Sequence, residues 1–186
     1  MDTWVWVLVA VAAVIVIAVV VRLVQSKRRT NTLHGQFGPE YDRTVQQTDS
    51  RREAEADLSA RVERREQLSI RPLTEAAQER YTSQWQQVQS RFVDQPAASL
   101  GQADELVLQV MRERGYPMDD FEQRAADISV DHPDMVEHYR AAQTASRNAA
   151  SSDSTTEDMR QGLVHYRALF EQLLARDSGT DAEQVQ

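Results

Sequence analysis

Histidine and carboxylate are the side chains best placed for chemistry here, because the chain has no cysteine. Thiolate nucleophiles, thiolate metal ligands and disulfides are excluded with it. The histidines are His34, His132, His138 and His165. His132 and His138 lie among Asp131, Asp134 and Glu137, and Glu171 follows His165. A hydrolytic metal centre needs three or four such groups converging on one ion, yet no His-Glu-x-x-His or other ligand spacing occurs. An enzyme using His132 and His138 with nearby acids, as metal ligands or as acid/base groups, is therefore carried only as an alternative. The simpler reading makes His132 a helix-start residue ahead of Pro133, and makes His138 and His165 surface or interhelical hydrogen-bond partners. A Gly-rich phosphate loop, a Gly-x-Ser-x-Gly elbow and a dinucleotide fingerprint are all missing. No catalytic residue, cofactor or metal site is assigned.

Three turns place an aromatic or His beside Gly or Pro: Phe37-Gly-Pro-Glu-Tyr41, Arg114-Gly-Tyr-Pro117 and Ser129-Val-Asp-His-Pro133. Phe37, Tyr41, Tyr116 and His132 are candidate interaction residues, since rigid loops often carry binding surfaces. The competing reading is that the turns are tight and their rings pack inward.

The elements behind these residues begin with an uncharged apolar run, Trp4 to Val21, ended by Arg22. As a helix its eighteen residues reach about 27 Å, close to the ~30 Å hydrocarbon core of a bilayer. Leu23 and Val24 extend it, because Arg22 can snorkel to the headgroups. Residues 4–24 are expected to span a membrane, with Trp4 and Trp6 in the outer interface. Arg22, Lys27, Arg28 and Arg29 then hold the following chain on the cytoplasmic side. A cleaved signal would need a basic start, a shorter core and a small-x-small site after it, and the run has none of these.

Of 21 basic and 29 acidic residues, all but four of the former and one of the latter lie beyond Arg29. That remainder has a net charge of −11, which disfavours nucleic acid and anionic lipid as partners.

Residues 25–38 show no period and are expected to be a juxtamembrane linker. Residues 39–69 are expected to form one charged helix starting at Gly38-Pro39. Its broken stripe, Tyr41, Val45, Leu58 and Val62, suits a solvated helix better than a coiled-coil stalk, so any homodimer is weak. From 70 to 176 the spacing predicts a small antiparallel helical bundle. Thr74 caps a helix with Tyr81, Trp85, Val88 and Phe92 on one face. Leu100, Ala103, Leu106, Val107, Val110 and Met111 mark the next, which Gly115 ends. Asp119 or Asp120 caps a short helix through Phe121, Ala125 and Ile128. Val136, Tyr139, Ala142 and Ala145 define another. Ser154 and Glu157 have capping-box spacing before Met159, Leu163, Tyr166, Phe170 and Leu173. Residues 177–186 are expected to be a disordered tail, and residues 1–3 a short extracytoplasmic start.

The chain resembles a family of uncharacterised bacterial single-pass membrane proteins. The resemblance is carried by Phe37-Gly-Pro-Glu-Tyr-Asp-Arg-Thr-Val45, Phe92-Val-Asp94 with Ala103-Asp104, Met111-Arg-Glu-Arg-Gly-Tyr-Pro117, Ser129-Val-Asp-His-Pro133, His138-Tyr-Arg140 and Tyr166-Arg-Ala-Leu-Phe170. It implies an anchor followed by a polar helical body, and no activity or site residue comes with it.

The fold expected is thus all-α: one N-terminal transmembrane helix, a charged helix and a small bundle. The function expected is protein–protein interaction at the inner face of the cell membrane, with residues 4–24 in the lipid bilayer. An envelope protein with its soluble domain outside is the remaining alternative.

Overall fold

The computed structural model describes residues 3–149, 151 and 153–175, without the side chains of residues 3, 5–11 and 23. The expected extracytoplasmic start, most of it, and the expected tail lie outside the described residues. So does the side chain of Trp6. The described chain is all-helical: α1 Thr3–Phe37, α2 Pro39–Gln47, α3 Arg51–Glu66, α4 Glu75–Arg91, α5 Pro96–Arg114, α6 Phe121–Asp131, α7 Pro133–Asn148 and α8 Thr156–Leu174. Among the described residues no helix is long and apolar enough to cross a membrane. The run expected to do so falls in part on the side chains not described.

Contacts divide the chain into two compact units, 1–59 and 60–186, with the boundary inside α3. In the first unit, 25–38 is not the expected linker, because α1 continues to Phe37. Leu33 and Phe37 on its last turns are buried, together with Tyr41 from α2 and Ala54 and Leu58 from α3. Two apolar residues are too few to show a period in the sequence but enough to fix a helix against its neighbours. Gly38 turns the chain into α2 with φ of 48°, a left-handed value that glycine adopts without strain.

The single charged helix expected over 39–69 is two helices. α2 stops at Gln47, and Ser50 starts α3 by accepting from the Glu53 backbone N–H at 3.2 Å. Ser50 and Glu53 have the Ser-x-x-Glu spacing of a helix start, a signal masked by the unbroken run of charge.

The second unit buries the faces that periodicity picked out. Tyr81, Trp85 and Val88 of α4, and Leu100, Ala103, Leu106, Val107, Val110 and Met111 of α5, meet Val136, Tyr139 and Ala142 of α7 and Leu163, Tyr166, Leu169, Phe170 and Leu173 of α8 in one core. Trp85 stacks on Phe170 with centroids 4.7 Å apart. Thr74 caps α4, Asp120 caps α6, and Gly115 ends α5 with φ of 97°. The box before α8 is displaced by one residue from its predicted place: Thr155 and Asp158 form it, each side chain bonding the other's backbone N–H.

The bundle is not uniformly antiparallel. α4 opposes α5, as the Tyr81–Glu113 and Arg91–Gln102 contacts require. α7 opposes α8, as His138 meets His165 and His132 meets Gln172. α5 and α8, however, run parallel: Leu100 lies by Gly162, Asp104 by Tyr166, and Arg114 by Leu173. The alternation fails after Gly115, where residues 116–120 are irregular and a proline forbids an immediate return helix.

Candidate functional site

The structure redistributes the histidines. His132 and His138 are six residues apart, about 240° in direction on a helix of ~100° per residue, and they do not converge. His132 is buried at the α6–α7 junction, with Nδ1 3.4 Å from Gln172 Nε2. His138 on α7 instead meets His165 on α8, Nδ1 to Nδ1 at 2.8 Å. His34 is exposed, 3.7 Å from Asp42.

Of the acids expected near the histidines, Asp134 is exposed, and Asp131, Glu137 and Glu171 are engaged elsewhere. Asp131 accepts from Arg65 Nε at 2.5 Å and from the Tyr116 hydroxyl at 3.0 Å. Glu137 pairs with Arg140, and Glu171 with Arg167. Among the described residues no three His, Cys, Asp or Glu side chains gather to hold a metal. The enzyme constellation of His132, His138 and neighbouring acids is therefore not assembled.

The candidate interaction residues are also inside. Phe37, Tyr41, Tyr116 and His132 are all buried, with Phe37 at 0% exposure. Tyr41 donates to Glu55 Oε1 at 3.0 Å, which Thr30 also reaches at 2.6 Å. Burial and the Glu55 carboxylate raise the Tyr41 pKa. Burial and Asp131 raise that of Tyr116 as well. These turns present no aromatic ring to a partner, because their rings close the core beneath them.

Of the residues assigned to a membrane interface, Trp4, Arg22, Lys27 and Arg28 are exposed. Arg29 has a further role: its guanidinium donates to Ser59 Oγ at 2.6 Å and to the Glu55 carbonyl at 3.3 Å. It ties α1 to α3 within the first unit.

No family model, curated protein or solved structure matches the chain. Function rests on the side chains alone.

Polar groups that no motif flagged are brought together in the second unit. Asp104 accepts from the Tyr166 hydroxyl at 2.9 Å. Burial raises the Asp104 pKa, against the lowering effects of that hydrogen bond, Arg124 and Arg147. Arg124 also donates to the Tyr139 hydroxyl at 3.1 Å. On α3, Arg64 holds Asp119 at 2.5 Å and the fully buried Asp127 at 3.1 Å. These arrangements lock helices together through charge-assisted bonds. Sequence could not reveal them, because the partners are 15 to 63 residues apart.

The His138–His165 pair differs in having, among the described residues, no carboxylate or cation bonded to it. Desolvation, with His138 as the second cause, lowers the pKa of His165. Two ring nitrogens are held close and facing at a half-buried position between helices.

Proposed function

We propose that the chain is a single-pass, membrane-anchored helical module that acts by binding another protein at the inner membrane face. Residues 4–24 lie in the bilayer in this reading, with the N-terminus outside and the helical body in the cytoplasm.

The observation that carries the anchor is exposure around a whole helix. Val14, Ile15, Val16, Ile17, Val19, Val20 and Val21 are each between 46% and 65% exposed. Near-consecutive positions on α1 point around its full circumference, so no single protein face accounts for them. A helix apolar on every side needs an apolar solvent or a surrounding core. These residues belong to the uncharged run that begins at Trp4, itself 61% exposed, and Arg22, Lys27 and Arg28 follow at the end where basic residues are retained.

The acidic body supports a protein partner over a nucleic acid. On α4 an open, shallow surface is lined by Glu75, Gln78, Glu79, Thr82, Ser83 and Gln86. Such a face suits a basic, polar protein surface and repels phosphate.

The chain lacks cysteine, so Asp2→Cys and Ser90→Cys each introduce a unique thiol. Under this reading, an impermeant maleimide labels Asp2→Cys on intact cells and Ser90→Cys only after lysis. The reverse pattern puts the body outside, and release of the protein by alkaline carbonate removes the anchor. Crosslinking should capture a stoichiometric partner that Glu75→Lys with Glu79→Lys abolishes. Unchanged capture by that variant excludes the α4 surface.

A further inference from the structure

We propose that His138 and His165 form a two-imidazole site for a late first-row divalent cation of the Zn²⁺, Ni²⁺ or Cu²⁺ class. The site goes beyond the anchor and partner reading and does not depend on it.

The geometry begins with the helix register. α7 and α8 approach so closely at Gly162 that a Cβ there would lie 2.6 Å from Ala145 Cβ. His165, one turn beyond Gly162, is thereby held opposite His138. Their Nδ1 atoms are 2.8 Å apart, with ring centroids at 5.1 Å and planes at 43°. Two imidazole lone pairs cannot face each other at that distance without something positive between them. In the neutral pair this is one shared proton, an Nδ1–H donated by one ring to the other.

A cation can take the proton's place with little movement. Zinc–nitrogen bonds of about 2.05 Å and a tetrahedral angle put two ligating nitrogens about 3.3 Å apart. The pair must therefore open by only about 0.5 Å, a displacement that small side-chain rotations supply. Both rings are half-buried rather than sealed, so an ion can enter from solvent. Burial also favours the neutral ring of His165, the form that ligates.

The proton balance is simple. In the bound state each ring offers a bare Nδ1 and keeps its proton on Nε2. The ring that donated its Nδ1–H becomes the Nε2–H tautomer by exchange with water. Binding to the neutral pair releases no net proton.

The rest of the coordination sphere is open. One turn further along each helix, Ala141 and Ala142 on α7 and Ala168 and Leu169 on α8 bring no donor, while one turn back lie the exposed Asp134 on α7 and Gln161 on α8. That agrees with the lack of a three-residue group among the described residues. Water, or a donor from a second molecule, completes the sphere. Nitrogen ligands select Zn²⁺, Ni²⁺ and Cu²⁺ over Mg²⁺ and Ca²⁺, which require oxygen.

Titration of the full chain in detergent with ZnCl₂ or NiCl₂, at about pH 7.5 where free imidazole is neutral, tests the site by calorimetry. One equivalent should bind, with no comparable heat from MgCl₂. Loss of a supporting partner typically weakens a metal site by about 10–100-fold, so loss of a ligand in His138→Gln or His165→Gln should cost at least about tenfold. His132→Gln should bind as the parent does. Absence of binding, or equal binding by the parent and both variants, overturns the site. If either variant misfolds, ring ¹⁵N shifts of the parent protein decide. Addition of Zn²⁺ should move the Nδ1 signals of His138 and His165 and leave His34 and His132 in place. No movement, or movement confined to His34 or His132, overturns it equally.

Discussion

Arg114 on α5 donates from Nη1 to the backbone carbonyl of Leu173 on α8 at 2.9 Å, and its side chain is fully buried. The two helices run parallel, so the guanidinium sits at the C-terminal end of α8. The last carbonyls of a helix have no intrahelical donor and carry partial negative charge. A buried cation there satisfies one of them and complements the dipole.

Arg114→Met keeps most of the volume and removes the donor. Leaving a buried carbonyl unsatisfied costs about 1–3 kcal/mol. Arg114→Ala adds a cavity, and its total loss should be larger by about 2 kcal/mol. Chemical unfolding of the full chain, followed by circular dichroism, measures both. Equal stability of Arg114→Met and the parent would mean that the bond to Leu173 contributes nothing.

Gly162 sets the spacing of α7 and α8. Its absent Cβ would meet Ala145 Cβ at 2.6 Å and Leu100 Cδ1 at 3.1 Å. The Ala145 methyl is fixed to a helix backbone and cannot swing away, so Gly162→Ala must push the helices apart. Overpacking of this kind costs about 1–3 kcal/mol, against about 1 kcal/mol gained in helix propensity. We expect net destabilisation, partly restored by Ala145→Gly in the same chain. A rise in thermal midpoint for Gly162→Ala alone would contradict the close approach.

His165 gives stability a definite pH dependence. Its folded pKa lies below the ordinary 6.5, through desolvation first and His138 second. The unfolded chain therefore takes up the proton at a higher pH than the folded one. The contribution is fully present above about 6.5 and declines as pH falls through the lowered folded value. His165→Gln should flatten that part of the stability curve. An unchanged acid limb, measured by urea unfolding at a series of pH values, would reject the assignment.

Asp127 depends on Arg64. The carboxylate is almost wholly buried, and Oδ1 accepts from Arg64 Nε at 3.1 Å and Gln123 Nε2 at 2.9 Å. Arg64→Ala strands a buried charge. Breaking a fully buried pair costs about 3–5 kcal/mol, and the partly exposed guanidinium reduces this to about 1–3 kcal/mol. Asp127→Asn in the same chain should recover part of the loss. Additive losses in the double variant would show that the two side chains act independently.

The order of the helices in the bundle was legible in local chemistry. Tyr81, Trp85 and Val88 recur at steps that must share a face, and Leu163, Tyr166, Phe170 and Leu173 do the same. All are buried. Thr74, Asp120 and Gly115 mark boundaries because capping involves only residues within a turn. The weaker signals misled for the same reason. Leu33 and Phe37 show no period by themselves, and Ser50 lies among charges, so local spacing neither carries α1 to Phe37 nor separates α2 from α3.

The amino-acid order by itself determined that the described chain is helical, where most of its bundle helices start and stop, and which faces turn inward. These properties depend on neighbours within about four residues along the chain. Tertiary structure alone decided that α5 and α8 run parallel, that Arg114 caps a distant helix, that the loop aromatics face the core, and that His138 meets His165 instead of His132. Each of those outcomes depends on how packed faces register across tens of residues, and helix periodicity contains no information about which ridge enters which groove.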